Sequence, residues 1–168
     1  MMLFKTLIFT TLIFTILVPC AVTVLIPLML LPHYIRPPMR LGVFRFTGAI
    51  LILLGTGTYL RCAWDFATYG RGTPAPIAPP EDLVIRGLYR FVRNPMYVGV
   101  LLVLAGEALL FESSIHFGYA AVVFLLFHLF VVIYEEPILQ RKFGGSYANY
   151  RATVPRWIPC FRVGDHAG

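Results

Sequence analysis

Acidic side chains are scarce in this chain: eight Asp and Glu in 168 residues, against fourteen Lys and Arg, with charged residues of both signs only 13% of the total. That is too little charge to cover a soluble globule of this size, so an ordinary water-soluble domain is excluded. Cysteine is scarce as well. Cys20, Cys62 and Cys160 fall singly in or beside apolar runs, and no histidine stands at zinc-ligand spacing, so neither a disulfide nor a metal site is expected. No G-x-G-x-x-G follows a strand-like run, which removes a Rossmann-type nucleotide site. The formal charge of +6 would suit nucleic acid in a soluble protein, but here the basic residues sit at the ends of apolar runs. They read as topology determinants and membrane-lipid headgroup contacts, and no nucleic-acid partner is expected.

What fills the chain instead is hydrocarbon, at 58% hydrophobic residues. The expected fold is all-α: a multi-span transmembrane helical bundle of about four spans, one membrane domain over 1–168, ending in a short amphipathic cytoplasmic tail. Span one covers 3–31, where Pro19 and Pro27 predict a kink or an early end; it is too long for a signal-peptide core and is read as a mature span. Span two covers 43–66, with Gly48, Gly55 and Gly57 offering a smooth packing face and Arg61, Trp64, Asp65 and Tyr69 marking its exit. The Gly- and Pro-rich stretch 70–81 reads as a linker, or alternatively as a loop closing over a site. A short surface helix over 82–92, span three over 95–111, a tight turn over 112–116 and span four over 117–134 follow. The chain is then expected to leave the membrane at Glu135-Glu136-Pro137 and to form two short amphipathic helices broken at Gly144-Gly145, with Ser146 capping the second.

Lys5, the 61–93 region and the 141–162 tail carry eleven of the fourteen basic residues. The positive-inside rule therefore places both termini and both of those regions in the cytoplasm, and an inner membrane of bacterial type is the expected location.

The stretch 86–99, R-G-L-Y-R-F-V-R-N-P-M-Y-V-G, sets Arg86, Arg90 and Arg93 against the start of an apolar run. Asn94 suits an N-cap and Pro95 the first helical turn, so a helix should begin there with arginines at its positive end, as an anion site. On the same side stand Glu135 and Glu136, at what reads as the C-terminal end of span four, where the helix dipole disfavours them. They need partners: a salt bridge to Arg86, Arg90, Arg93 or Arg141, or a cationic ligand. Arginines facing carboxylates across a cleft suit a zwitterion such as S-adenosylmethionine; NADPH phosphates would also suit the arginines.

Four blocks carry a family resemblance: G-L-Y-R-F-V-R-N-P-M-Y-V-G at 87–99, Glu135-Glu136-Pro-x-L, F-G-G-S-Y-A-N-Y at 143–150 and V-P-R-W-I-P at 154–159. In this order and spacing, over about 83–159, the chain resembles the isoprenylcysteine carboxyl methyltransferase superfamily, itself similar to the phospholipid methyltransferases. The resemblance implies a membrane methyltransferase with S-adenosylmethionine held on the cytoplasmic side by the last hairpin and tail. A lipophilic acceptor, a prenylcysteine-like carboxylate or a lipid amine, would enter from the bilayer. It implies cofactor binding by Arg90, Arg93, Asn94, Pro95, Tyr97, Gly99, Glu135, Tyr147 and Tyr150, with Arg156 matching the tail block. Glu135 or Glu136 would accept a proton from an amine, and Arg90 or Arg93 would orient a carboxylate. Asn94 departs from the family's usual histidine and cannot serve as a base. The alternatives are an NADPH-dependent membrane reductase of similar fold, against which the glutamates would repel phosphates, and a non-catalytic membrane protein keeping the fold.

Three further polar residues lie within apolar segments. Glu107, inside span three, is expected to make a structural hydrogen bond or to contact polar water rather than to act in catalysis. His128 shares a helical face with Glu135 and is expected to pair with a neighbouring helix rather than line the site. Tyr147 and Tyr150, three apart, suit interfacial anchoring or ligand contact alike.

Overall fold

The computed structural model describes residues 17–31, 41–69, 83 and 85–160. Among them there is helix and no strand. Helix α1 covers Leu17–Leu30, α2 Phe46–Tyr69 after a 3-10 turn at Gly42–Arg45, α3 Pro95–Leu110, α4 Ser114–Phe130 and α5 Glu136–Thr153. The stretches Gly42–Asp65 and Ser114–Thr153 are long and apolar enough to cross a bilayer; Leu17–Leu30 and Pro95–Leu110 are shorter apolar helices. The start of the expected first span and the 70–81 loop lie outside the described residues.

Glycine decides how α2 and α3 meet. A Cβ on Gly55 would stand 2.5 Å from the Gly99 carbonyl oxygen and 2.8 Å from the Val103 nitrogen; one on Gly106 would stand 2.6 Å from the Gly48 carbonyl. Gly48–Gly106 and Gly55–Gly99 are two antiparallel pairs seven residues apart on each helix, so backbone touches backbone at both levels. Gly57, expected on the same face, has nothing within 4 Å of its Cβ position. It turns away because two residues rotate a helix by about 200°. Beside this seam Val100, Leu104 and Val123 form a core with Val22, Tyr59 and Phe127 packed on it. Apolar side chains on the opposite faces, such as Leu53, Leu60, Leu125 and Leu129, are exposed, as a lipid-facing surface requires.

Two prolines stay inside helices where sequence predicted a stop or kink. In each case a π-turn precedes the proline by one residue: Ala21–Leu25 before Pro27, and Val131–Glu135 before Pro137. The wider turn lets Ile26 and Glu136 donate to Ala21 and Val131, five residues back, and gives the ring room. In that register Val22 would be served by Pro27, which has no N–H. Tyr119 of α4 donates its hydroxyl to the Val22 carbonyl at 2.9 Å instead. Tyr119→Phe should therefore cost about 1 kcal/mol in a detergent unfolding titration, the range of interhelical hydrogen bonds in membranes.

Two other expectations are corrected. Of the expected 82–92 helix, the described residues form only a 3-10 turn at Gly87–Arg90, because Arg86 is extended and Gly87 has φ +55°. Span four does not end at Glu135: the chain runs helically on through Pro137 into α5, so the glutamates occupy a helix interior and the dipole penalty does not apply. The tail kinks at Gly144, whose φ of 53° and ψ of −122° interrupt α5; the residue type expected to break it does so. The turn into α4 is tight, with Ser113 Oγ accepting the His116 backbone N–H as cap and Glu112 accepting the Leu41 N–H at 2.9 Å.

Candidate active site

The 3-10 turn is moulded onto the end of α2. A Cβ on Gly87 would collide with Asp65 Oδ2, so only glycine lets the chain pass. Asp65, expected at an interfacial exit, is 2% exposed and pairs with Arg61 Nη2 at 3.1 Å. The turn is also tied to the tail. Tyr150 Oη donates to the Tyr89 carbonyl at 2.7 Å, Arg93 N donates to the Pro155 carbonyl and Cys160 N to the Phe91 carbonyl, both at 2.9 Å. Residues 154–160 thus form a strap across residues 91–94.

Asn94 precedes Pro95, which opens α3 as expected, but its side chain makes no cap bond. Its Nδ2 donates to the Arg156 carbonyl at 3.2 Å. The side chain thus joins tail to helix instead of capping α3.

At the centre lies Glu136, 6% exposed. Arg156 grips its carboxylate with both a Nε–Oε1 contact of 2.7 Å and a Nη2–Oε2 contact of 3.0 Å, and Arg93 Nη1 lies 3.1 Å from Oε1. This bidentate geometry is the strong form of the pair, and it holds Arg156 firmly protonated, its pKa raised chiefly by the hydrogen bond to Glu136. Arg93 Nε is a buried donor with no partner among the described residues. Tyr147 stands against this group: burial raises its phenol, Glu136 adds to the rise and Arg93 opposes it.

Glu135 has a different environment. Its Oε1 accepts from Tyr97 Oη at 2.5 Å, and the Tyr97 ring leans on Phe127 with centroids 4.6 Å apart. Among the described residues no cation pairs with Glu135. Tyr89, which the sequence places in the 86–99 cluster without assigning it a role, sets its phenol within electrostatic reach of Glu135, Asp65 and Cys62, and burial drives its pKa well above the ordinary value.

Successive residues on a helix point about 100° apart, and this divergence gives the two glutamates their separate partners. It produces two adjacent groups of opposite balance: two guanidiniums against one carboxylate at Glu136, and an uncompensated carboxylate at Glu135. Of the expected site residues, Arg93, Asn94, Tyr97, Glu135, Glu136, Tyr147, Tyr150 and Arg156 are brought together by these contacts. Pro95 starts the helix that carries Tyr97. Gly99 serves the α2–α3 seam. Arg90 is exposed and makes no ion pair among the described residues. His128, expected to pair with a helix, accepts from the strap's Trp157 at 3.1 Å.

A family model described as phospholipid methyltransferase matches residues 43–146. The chain is 35% identical over 77 residues to the protein-S-isoprenylcysteine O-methyltransferase of Schizosaccharomyces pombe, covering 46% of this chain and 33% of that protein. It is 34% identical over 79 residues to protein-S-isoprenylcysteine O-methyltransferase B of Arabidopsis thaliana, covering 47% and 40% respectively. An uncharacterized protein of Haemophilus influenzae is 32% identical over 63 residues, 38% of this chain and all of that protein. The chain thus spans a third to two-fifths of the length of the named methyltransferases it matches.

Proposed function

The chain belongs to the phospholipid methyltransferase family, and from that premise we propose that it is an integral membrane methyltransferase. Its donor is S-adenosylmethionine, its acceptor is lipophilic and reaches the site from the bilayer, and its four spans leave both termini in the cytoplasm. The observation that carries this reading is the charge division between neighbouring glutamates. Arg93 and Arg156 together exceed the single charge of Glu136, leaving one positive charge and the buried Arg93 Nε to receive a carboxylate. Glu135, held among the described residues by Tyr97 alone, offers a negative charge to a cation or a hydroxyl pair. A zwitterionic amino acid sulfonium matches both.

S-adenosylmethionine supplies a methyl group already activated on sulfur, so the protein's main task is alignment. Arg93 and Arg156 orient the carboxylate end. Glu135 faces the opposite charge and, for an amine acceptor, takes the proton released; Tyr97 fixes the orientation of that carboxylate by occupying one oxygen. Glu136, with both oxygens claimed by guanidiniums, sets the positions of the two arginines and takes no proton.

Isothermal titration of the purified protein tests the reading. S-adenosylmethionine or its demethylated product should bind, and Glu135→Gln, which keeps size and the Tyr97 contact but removes the charge, should weaken affinity at least tenfold without unfolding. Binding of NADPH alone would support a reductase and overturn the reading, and binding of neither would leave a non-catalytic fold.

A further inference from the structure

The strap carries a feature that the charged cluster does not use. Trp157 Nε1 donates to His128 Nδ1 at 3.1 Å, and its ring meets Phe124 edge-on with centroids 5.3 Å apart. His128 stands seven residues before Glu135, about 10 Å along the helix toward the apolar middle of α4. The indole therefore points from the level of the charges toward the centre of the apolar segment. Phe124, Leu125 and Leu129, on that part of α4, are 42%, 55% and 43% exposed, and Ile158 beside the indole is 79% exposed.

A tryptophan at a membrane surface ordinarily keeps its N–H in water. Here histidine satisfies that N–H, so the ring can enter hydrocarbon without leaving a donor unpaired. Behind it the strap and the end of α5 enclose an open groove of ≈ 440 Å³ lined by Arg151, Val154, Pro155, Ile158, Pro159 and Cys160. Arg151 and Thr153 give the groove one cationic and polar edge, the rest of its lining is apolar, and Arg151 is exposed with no ion pair among the described residues.

We propose that the strap is a lipid-docking surface: Trp157 and Ile158 sit among the acyl chains of the bilayer, continuing the apolar face of α4, and the groove receives a phospholipid headgroup phosphate at Arg151. The proposal does not depend on the reaction above. It gives the strap a second partner besides residues 91–94, on the side facing away from Glu136.

The chain has two tryptophans, and Trp64 is 64% exposed on α2, so Trp64→Phe leaves Trp157 as sole reporter in the full chain. In vesicles of phosphatidylcholine brominated on the acyl chains, at least half of its emission should be quenched, and aqueous iodide should quench little. Ile158→Asp should reverse that order. Brominated phosphatidylglycerol should quench more strongly than brominated phosphatidylcholine at low salt, and Arg151→Ala should remove the difference. Dominant iodide quenching of Trp157 overturns the acyl-chain placement; an anionic preference that is absent, or that survives Arg151→Ala, overturns the headgroup contact. Should the Trp64 variant misfold, the same quantity is read as the difference in bromine quenching between the unaltered chain and Trp157→Phe.

Discussion

Glu136→Ala is expected to cost about 3–5 kcal/mol of stability and to abolish binding of a carboxylate-bearing cofactor, the largest effect of any single change in the site. The magnitude is that of breaking a buried ion pair from one side. Glu136 is 7% exposed and Arg93 9%, so removing the carboxylate strands two guanidiniums, one of them almost fully buried. The loss also reaches the backbone, because the strap that brings Arg156 to Glu136 is the one whose Pro155 carbonyl holds Arg93. Glu136→Gln should be nearly as harmful, since it restores volume but not charge. Combining Glu136→Gln with Arg156→Met should cost less than the sum of the single changes, since groups sharing one ion-pair network do not add independently. Detergent unfolding followed by circular dichroism reads the stability. If Glu136→Ala unfolds within about 1 kcal/mol of the unaltered chain, the cluster does not hold the strap.

The second large effect belongs to the seam between α2 and α3. Gly55→Ala sets a methyl group 2.5 Å from the Gly99 carbonyl oxygen, against backbone on both sides rather than a side chain that could swing away. The helices must separate, at the upper end of the roughly 1–3 kcal/mol typical of overpacking. Because α3 carries Tyr97, the same shift pulls the tyrosine from Glu135 and should lower cofactor affinity although the mutation is remote from the cluster. Gly57→Ala, two residues along the same helix, adds its methyl to open space and should change stability by less than about 1 kcal/mol, in the stabilising direction that helix propensity favours. Equal effects at the two glycines in a thermal unfolding comparison would mean that the backbone contact is not what joins the helices.

Features that depend on local chemistry were legible before any coordinates. Pro95 opens α3 and Gly144 breaks α5 because each constrains its own backbone, and the need of the glutamate pair for an arginine partner follows from charges that cannot stay alone at an apolar boundary, although Arg93 is one of four candidates and Arg156 is not among them. What could not be read depends on distant partners. Asn94 has the chemistry of a cap, yet its amide goes to Arg156, sixty-two residues later. Pro137 has the chemistry of a helix stop, yet the π-turn before it absorbs the missing donor. Asp65 looks like an interfacial residue until Gly87 folds back over it, and a three-glycine pattern does not say that Gly57 faces away. The division of partners between Glu135 and Glu136 is of the same kind: identical neighbours in sequence, pointed about 100° apart by the helix toward different distant partners.

The proposed reaction is a transfer of methyl from S-adenosylmethionine to a lipophilic acceptor. The most direct measurement incubates the purified chain in vesicles of total membrane lipid with donor labelled on the methyl group, then counts label in the organic extract. Label is expected in the extract with the unaltered chain, and at least a hundredfold less with Glu136→Ala. No label above a protein-free control across neutral lipids, amine lipids and prenylated cysteine analogues, from a chain that binds the donor in titration, would contradict it.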